Sequence, residues 1–206
     1  MSNIWIRNLK ILVFVVCLAP AVWLLWHLVT GNLGPDPTAK VTLFTGEATL
    51  RLLVISLAIT PVRRLSPQLT WLIRFRKMLG LFAFFYGCLH LLTYIGLYAY
   101  FDIHTMISDV LKRRFIFAGM FAWILLVPLA LTSTNWSIRK MGGKRWQRLH
   151  RIVYISAIAG ITHYWWKVKP GDRSPMTITV VLAVLLLARP VTSWWLARRQ
   201  SVPRAA

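Results

Sequence analysis

The chain has 206 residues, 57% of them hydrophobic, and sets only 5 acidic side chains against 25 Lys and Arg. Its mean hydropathy of +0.59 excludes an ordinary water-soluble domain, where about half of the residues at most are apolar. The net charge of +20 suggests nucleic acid as a partner, but the cations gather at the ends of apolar stretches instead of covering one soluble face, which argues against it.

A membrane crossing needs about 20 mostly apolar residues. Stretches of roughly that kind run over 9–29, 47–62, 78–100, 115–132, 149–166 and 176–196. The first has a basic start and an apolar run, as a secretion signal does. Its length, the following Trp23 and Trp26, and the lack of a small-x-small site predict a retained helix. The second is short and carries Glu47 and Arg51 at its edge. The loops are too short for a soluble nucleotide-binding domain. The predicted fold class is therefore all-α: a polytopic membrane bundle of six transmembrane helices, with residues 1–206 as a single domain.

Cytoplasmic loops of membrane proteins carry an excess of Lys and Arg. One side collects Arg7, Lys10, Arg63, Arg64, Arg74, Arg76, Lys77, Arg139, Lys140, Lys144, Arg145, Arg148, Arg198, Arg199 and Arg204. The other has Lys40, Lys112, Arg113, Arg114, Lys167, Lys169 and Arg173. The heavier side is predicted to be cytoplasmic, with both termini inside. Tryptophans near span ends (Trp5, Trp26, Trp136, Trp146, Trp165, Trp166, Trp194 and Trp195) fit an interfacial belt. Cys17 and Cys88 fall inside spans and read as packed thiols, not as a disulfide or metal site.

The functional suspects are histidines within the spans, because ionisable groups there are costly. His90 lies 13 residues beyond Lys77, and His163 lies 15 beyond Arg148. At 1.5 Å per residue both are about 20 Å from the inner edge, at matched depth on two helices. Neutral imidazole is a common axial ligand of heme iron, so the pair is a candidate heme clamp. A backbone carbonyl or a neighbouring hydroxyl can also satisfy a histidine in a span. His150 lies 13 residues before His163 at the inner level, where the third span offers only Arg76. Thirteen residues leave two side chains about 140° apart around a helix, so a distortion is needed to turn His150 and His163 inward. Gly160, between them, is the candidate place. His27 and His104 sit at the outer end of a span and in an outer loop, and both read as solvated.

A set of short segments carries a resemblance: Leu33-Gly34-Pro35-Asp36-Pro37, Phe44-Thr45-Gly46, Ile59-Thr60-Pro61, Leu79-Gly80-Leu81, Leu89-His90-Leu91, Leu131-Thr132-Ser133-Thr134, Trp146-Gln147-Arg148-Leu149-His150, Val153-Tyr154, and His163-Tyr164 followed by Trp166-Lys167-Val168-Lys169. In this order over nearly the whole chain, they resemble the heme-binding membrane subunits of bacterial periplasmic methionine sulfoxide reductase systems. Those belong to the ferric reductase and NADPH oxidase transmembrane superfamily. The resemblance implies two histidines on the third span and two on the fifth, holding stacked b-type hemes. Here His150 and His163 match on the fifth span, but the third matches only at His90, with Arg76 at the inner position. One heme b on His90 and His163 is expected. A second, on His150, requires another sixth ligand. FMN enters through the resemblance alone, since no phosphate-cradling glycine motif is present.

The expected function is a bacterial inner-membrane b-type cytochrome, an electron-transfer subunit and not the catalytic one. By resemblance it passes electrons from the quinone pool or a cytoplasmic flavin reductase to a periplasmic molybdopterin-containing methionine sulfoxide reductase subunit. The segments 30–46, 101–114 and 167–175 are the expected docking loops, and Arg51, Lys167 and Lys169 the cations near the outer heme level. Arg76, Arg148 and Arg151 lie near the inner one, where membrane lipid phosphate is an equally good partner. The alternative is a stand-alone transmembrane ferric or quinone reductase.

Overall fold

The computed structural model describes residues 3–200. Arg204 lies outside the described residues, as do the side chains of Trp194, Trp195, Arg198 and Arg199. The described chain is helical throughout, with α1 Asn3–Val29, α2 Pro37–Leu65, α3 Ile73–Thr93, α4 Ile103–Lys112, α5 Arg114–Leu131, α6 Asn135–Met141, α7 Gly143–His150, α8 Val153–Lys167 and α9 Met176–Gln200. Among the described residues four segments, against the six expected, are long and apolar enough to cross a membrane: Ile4–Val29, Pro37–Leu65, Gln68–Tyr98 and Arg114–Leu131. Large apolar side chains such as Leu25, Val29, Phe117 and Leu187 are exposed, as befits a chain whose solvent is lipid.

Two local features differ from expectation. The second helix starts ten residues before residue 47, because Asp36 accepts a hydrogen bond from the Ala39 amide at 2.9 Å and Pro37 occupies the first turn. Most of the expected loop 30–46 is therefore helix. In the loop 101–114, Asp102 likewise caps α4 by accepting from the His104 and Thr105 amides. Just before that cap, α3 passes through a π-helical turn at Tyr94–Tyr98, and Tyr100 and Phe101 take φ of 49° and 60°. Such conformations are strained for non-glycine residues. They reverse the chain within a few residues.

Antiparallel pairs make up the bundle. α2 packs along α3, and α5 along α8. Little hydrophobic force drives helices together in lipid, so close van der Waals approach and polar contacts must hold them. Ala83 and Ala157 are essentially inaccessible, and the buried Ser156 hydroxyl donates to the Ala122 carbonyl at 2.8 Å between α8 and α5. A central cluster with Leu57, Ala83, Leu126 and Ala157 joins α2, α3, α5 and α8. A second, around Cys17, Phe75, Phe82 and Tyr86, attaches α1. There the Tyr86 hydroxyl donates to the Cys17 carbonyl at 2.8 Å. Cys17 and Cys88 are both free thiols, as expected.

The fifth stretch is not one continuous α-helix. Between α7 and α8 the amides of Arg151, Ile152 and Tyr154 bond three residues back, to Arg148, Leu149 and Arg151. Each residue wound at 3.0 instead of 3.6 per turn adds about 20° of rotation. Three such residues reduce the 140° offset between His150 and His163 to about 80°. The expected distortion exists at 151–152 and not at Gly160. Gly160 serves packing, since a Cβ there would stand 3.0 Å from the Leu50 side chain on α2.

Candidate functional site

His90 sits near the end of α3 and His163 near the end of α8, and the bundle brings their rings together. The ring centroids are 5.9 Å apart, with planes at 80°. Each ring is fixed from behind by its own partner helix. His90 Nδ1 lies 2.9 Å from the Thr42 carbonyl on α2, with the Thr45 hydroxyl at 3.4 Å. His163 Nδ1 lies 2.6 Å from the Phe115 carbonyl on α5. A carbonyl can only accept, so Nδ1 carries the proton in both rings. The lone pair is thereby left on Nε2, the arrangement that a metal-ligating imidazole uses.

A helical carbonyl already accepts one bond from the amide four residues on. A ring as wide as imidazole reaches it most closely as a second donor where that position carries no side chain. In both cases that residue is glycine: Gly46 four after Thr42, and Gly119 four after Phe115. A Cβ on Gly46 would stand 3.1 Å from His90 Cε1, and one on Gly119 would stand 2.7 Å from His163 Nδ1. The same device is thus built twice, in α2–α3 and in α5–α8. The sequence reading missed the two carbonyls and the steric role of the glycines. A signal was present, because glycine inside a helix is about 1 kcal/mol worse than alanine and marks a close approach.

The donor set is informative. Among the described residues no three or more His, Cys, Asp or Glu side chains converge. Two imidazoles suffice only for a metal whose other positions are filled by a macrocycle, as in bis-histidine heme. His90 and His163, each with Nδ1 tied to a carbonyl, are the two residues that would hold such a group.

Nearby cations are unequal. Lys167 Nζ lies 5.9 Å from the Phe115 ring beside His163, so its charge is close to the pair. Arg51 is committed to Glu47 at 2.6 Å, and Glu47 also accepts from the Tyr164 hydroxyl at 3.3 Å. Lys169 is exposed.

His150 is placed differently, at the other end of the bundle. Its ring stacks on Trp146 with centroids 3.9 Å apart. Its Nε2 lies 3.1 Å from the Thr132 hydroxyl, which donates its own proton to the Pro128 carbonyl at 2.6 Å. His150 Nε2 is therefore the donor in this contact, so its lone pair is on Nδ1. Arg76, from α3, is near enough for its charge to act on the ring. His27, at the end of α1, is half-buried, bonded to the Trp23 carbonyl and packed on the Trp23 ring, and His104 is exposed in α4. Only His104 is the solvated side chain expected.

Residues 45–161 match the family described as ferric reductase like transmembrane component. Three relatives, each named protein-methionine-sulfoxide reductase heme-binding subunit MsrQ, align over most of their length. That of Herminiimonas arsenicoxydans is 48% identical over 90% of this chain and 86% of its own. That of Rhodospirillum rubrum is 47% identical over 93% and 91%, and that of Bordetella pertussis 43% identical over 97% and 95%. The chain therefore belongs to the MsrQ family, within the ferric reductase like transmembrane components.

Proposed function

We propose that this chain is a membrane b-type cytochrome that holds heme between His90 and His163 and delivers electrons to a periplasmic molybdenum-containing methionine sulfoxide reductase subunit. The observation that carries the reading is the pair of imidazoles with ring centroids 5.9 Å apart, each with Nδ1 bound to a backbone carbonyl. A heme bound by two imidazoles supplies one-electron transfer. The protein's own part is to fix both tautomers, to keep Nε2 free, and to bring Lys167 within reach of a propionate. The apolar shell excludes water and sets the local dielectric.

In this reading six helices cross the bacterial inner membrane with both termini cytoplasmic, α8 and α9 being the fifth and sixth. The His90–His163 end then faces the periplasm, where the protein partner docks. Electrons enter from the quinone pool or a cytoplasmic flavin reductase, and any FMN belongs to that entry step. His150 with Arg76 forms the inner candidate position. Iron binding at His150 Nε2 there requires release of Thr132.

The test is a pyridine hemochrome assay with optical spectra on purified wild type, His90→Ala and His163→Ala. Each variant is expected to lose the low-spin b-type spectrum, whereas a full Soret band in both defeats the proposal. A stand-alone transmembrane ferric reductase, the alternative reading, differs in its acceptor. It would reoxidise equally with chelated iron, whereas the proposed conduit needs the periplasmic enzyme.

A further inference from the structure

At the end of the bundle opposite His90 and His163, a groove of about 460 Å³ runs between α1 and α3. Its walls are apolar: Phe14 and Leu18 from α1, and Met78, Leu81, Phe82 and Phe85 from α3. Three cations close one end, Lys10 from α1 with Arg74 and Lys77 from α3, and all three are exposed. Lys10 to Leu18 and Lys77 to Phe85 are each eight residues, so the apolar part extends about 12 Å beyond the charges. Charge at one end and carbon along the rest is the outline of an amphiphile with an anionic head.

The protein itself offers these cations no acidic side chain. Its five carboxylates are Asp36, Glu47, Asp102, Asp109 and Asp172. Asp36 caps the start of α2, and Glu47 follows Gly46, which touches His90. Asp102 and Asp109 belong to α4 and its cap, and Asp172 lies between α8 and α9. All five are thus on the His90–His163 half. A soluble anion would leave the apolar walls uncovered, whereas a lipid acyl chain covers them. α1 needs such a filler, because few of its side chains besides Ile6, Cys17 and Leu24 are buried.

We infer that this groove binds one anionic glycerophospholipid, its phosphate on Lys10, Arg74 and Lys77 and an acyl chain between α1 and α3. The inference stands apart from the heme reading. Each cation near a membrane surface adds about fivefold to the binding of an anionic lipid, so the three together supply roughly a hundredfold.

The test is native mass spectrometry of the full chain, released from detergent with equal phosphatidylglycerol and phosphatidylcholine. Wild type is expected to retain one phosphatidylglycerol in clear preference. The triple variant Lys10→Gln, Arg74→Gln, Lys77→Gln should lose it by roughly a hundredfold, while Lys144→Gln with Arg145→Gln, on α7, should keep it. Leu81→Trp fills the groove, leaves every charge in place, and should also lose the lipid. Excess inorganic phosphate should not displace it. Equal retention of phosphatidylcholine, retention in the triple variant or in Leu81→Trp, equal loss in the α7 control, or displacement by inorganic phosphate would each overturn the inference.

Discussion

Replacing Gly119 with alanine tests the site at its tightest point. The new Cβ would lie 2.7 Å from His163 Nδ1, and ordinary contact begins near 3.4 Å, so the ring must retreat by about 0.7 Å. The Nδ1–Phe115 bond, now 2.6 Å, would open to about 3.3 Å, past the usual limit of about 3.2 Å. Losing that bond costs about 1 kcal/mol, and crowding adds about 1–3 kcal/mol. Better helix propensity acts on the heme-free and heme-loaded forms alike and drops out of binding. The lost bond and the crowding, about 2–4 kcal/mol together, weaken heme binding by about 30- to 900-fold. Titrating hemin into the heme-depleted protein and following the Soret band measures this directly. Gly46→Ala meets His90 Cε1 at 3.1 Å, needs a retreat of only about 0.3 Å, and should weaken binding by about threefold or less. Gly87→Ala, with its nearest neighbours at 3.6 Å, should change nothing. Wild-type affinity and spectrum in Gly119→Ala, or a larger loss in Gly46→Ala than in Gly119→Ala, would refute the reasoning.

His150→Ala should preserve the low-spin spectrum of the His90–His163 pair and leave the heme content per chain unchanged; a fall from two hemes to one establishes iron at His150. Tyr86→Phe removes the bond from α3 to the Cys17 carbonyl on α1 and should lower stability by about 1 kcal/mol, read as a drop in thermal midpoint in detergent. The Thr105 hydroxyl, the Thr105 amide and the His104 amide hold the Asp102 carboxyl below its ordinary value. The folded pKa is depressed, so this cap stabilises α4 above the unfolded Asp pKa and is lost as pH falls through the folded one. Amide exchange at Thr105 should therefore accelerate in acid, relative to its intrinsic rate, and Asp102→Ala should remove that pH dependence.

The histidine pair was legible because depth along a helix is a linear count from a charged edge. Lys77 and Arg148 supplied the edges, and antiparallel packing did the rest. What holds the rings was not legible in the same way. Thr42 and Phe115 contribute carbonyls, which every residue possesses, so their side chains give no sign. Gly46 and Gly119 did give one, but an isolated glycine in a span has several readings until its neighbour is known. The early start of α2 was written in Asp36-Pro37, a cap followed by a first-turn proline, and hydropathy outweighed it. The tightened turn at 151–152 leaves no local mark, since neither Arg151 nor Ile152 is a helix breaker. For His150, spacing placed it at the right level, but only the structure shows Thr132 on its Nε2.

The doubled carbonyl-and-glycine device has a mechanical consequence. Each histidine is buttressed within its own hairpin, α2 with α3 or α5 with α8, while the two hairpins are joined by the short connector through Tyr100 and α4. A ligand gripped by both rings would therefore add a rivet to the packing that already joins the two hairpins through Leu57, Ala83, Leu126 and Ala157.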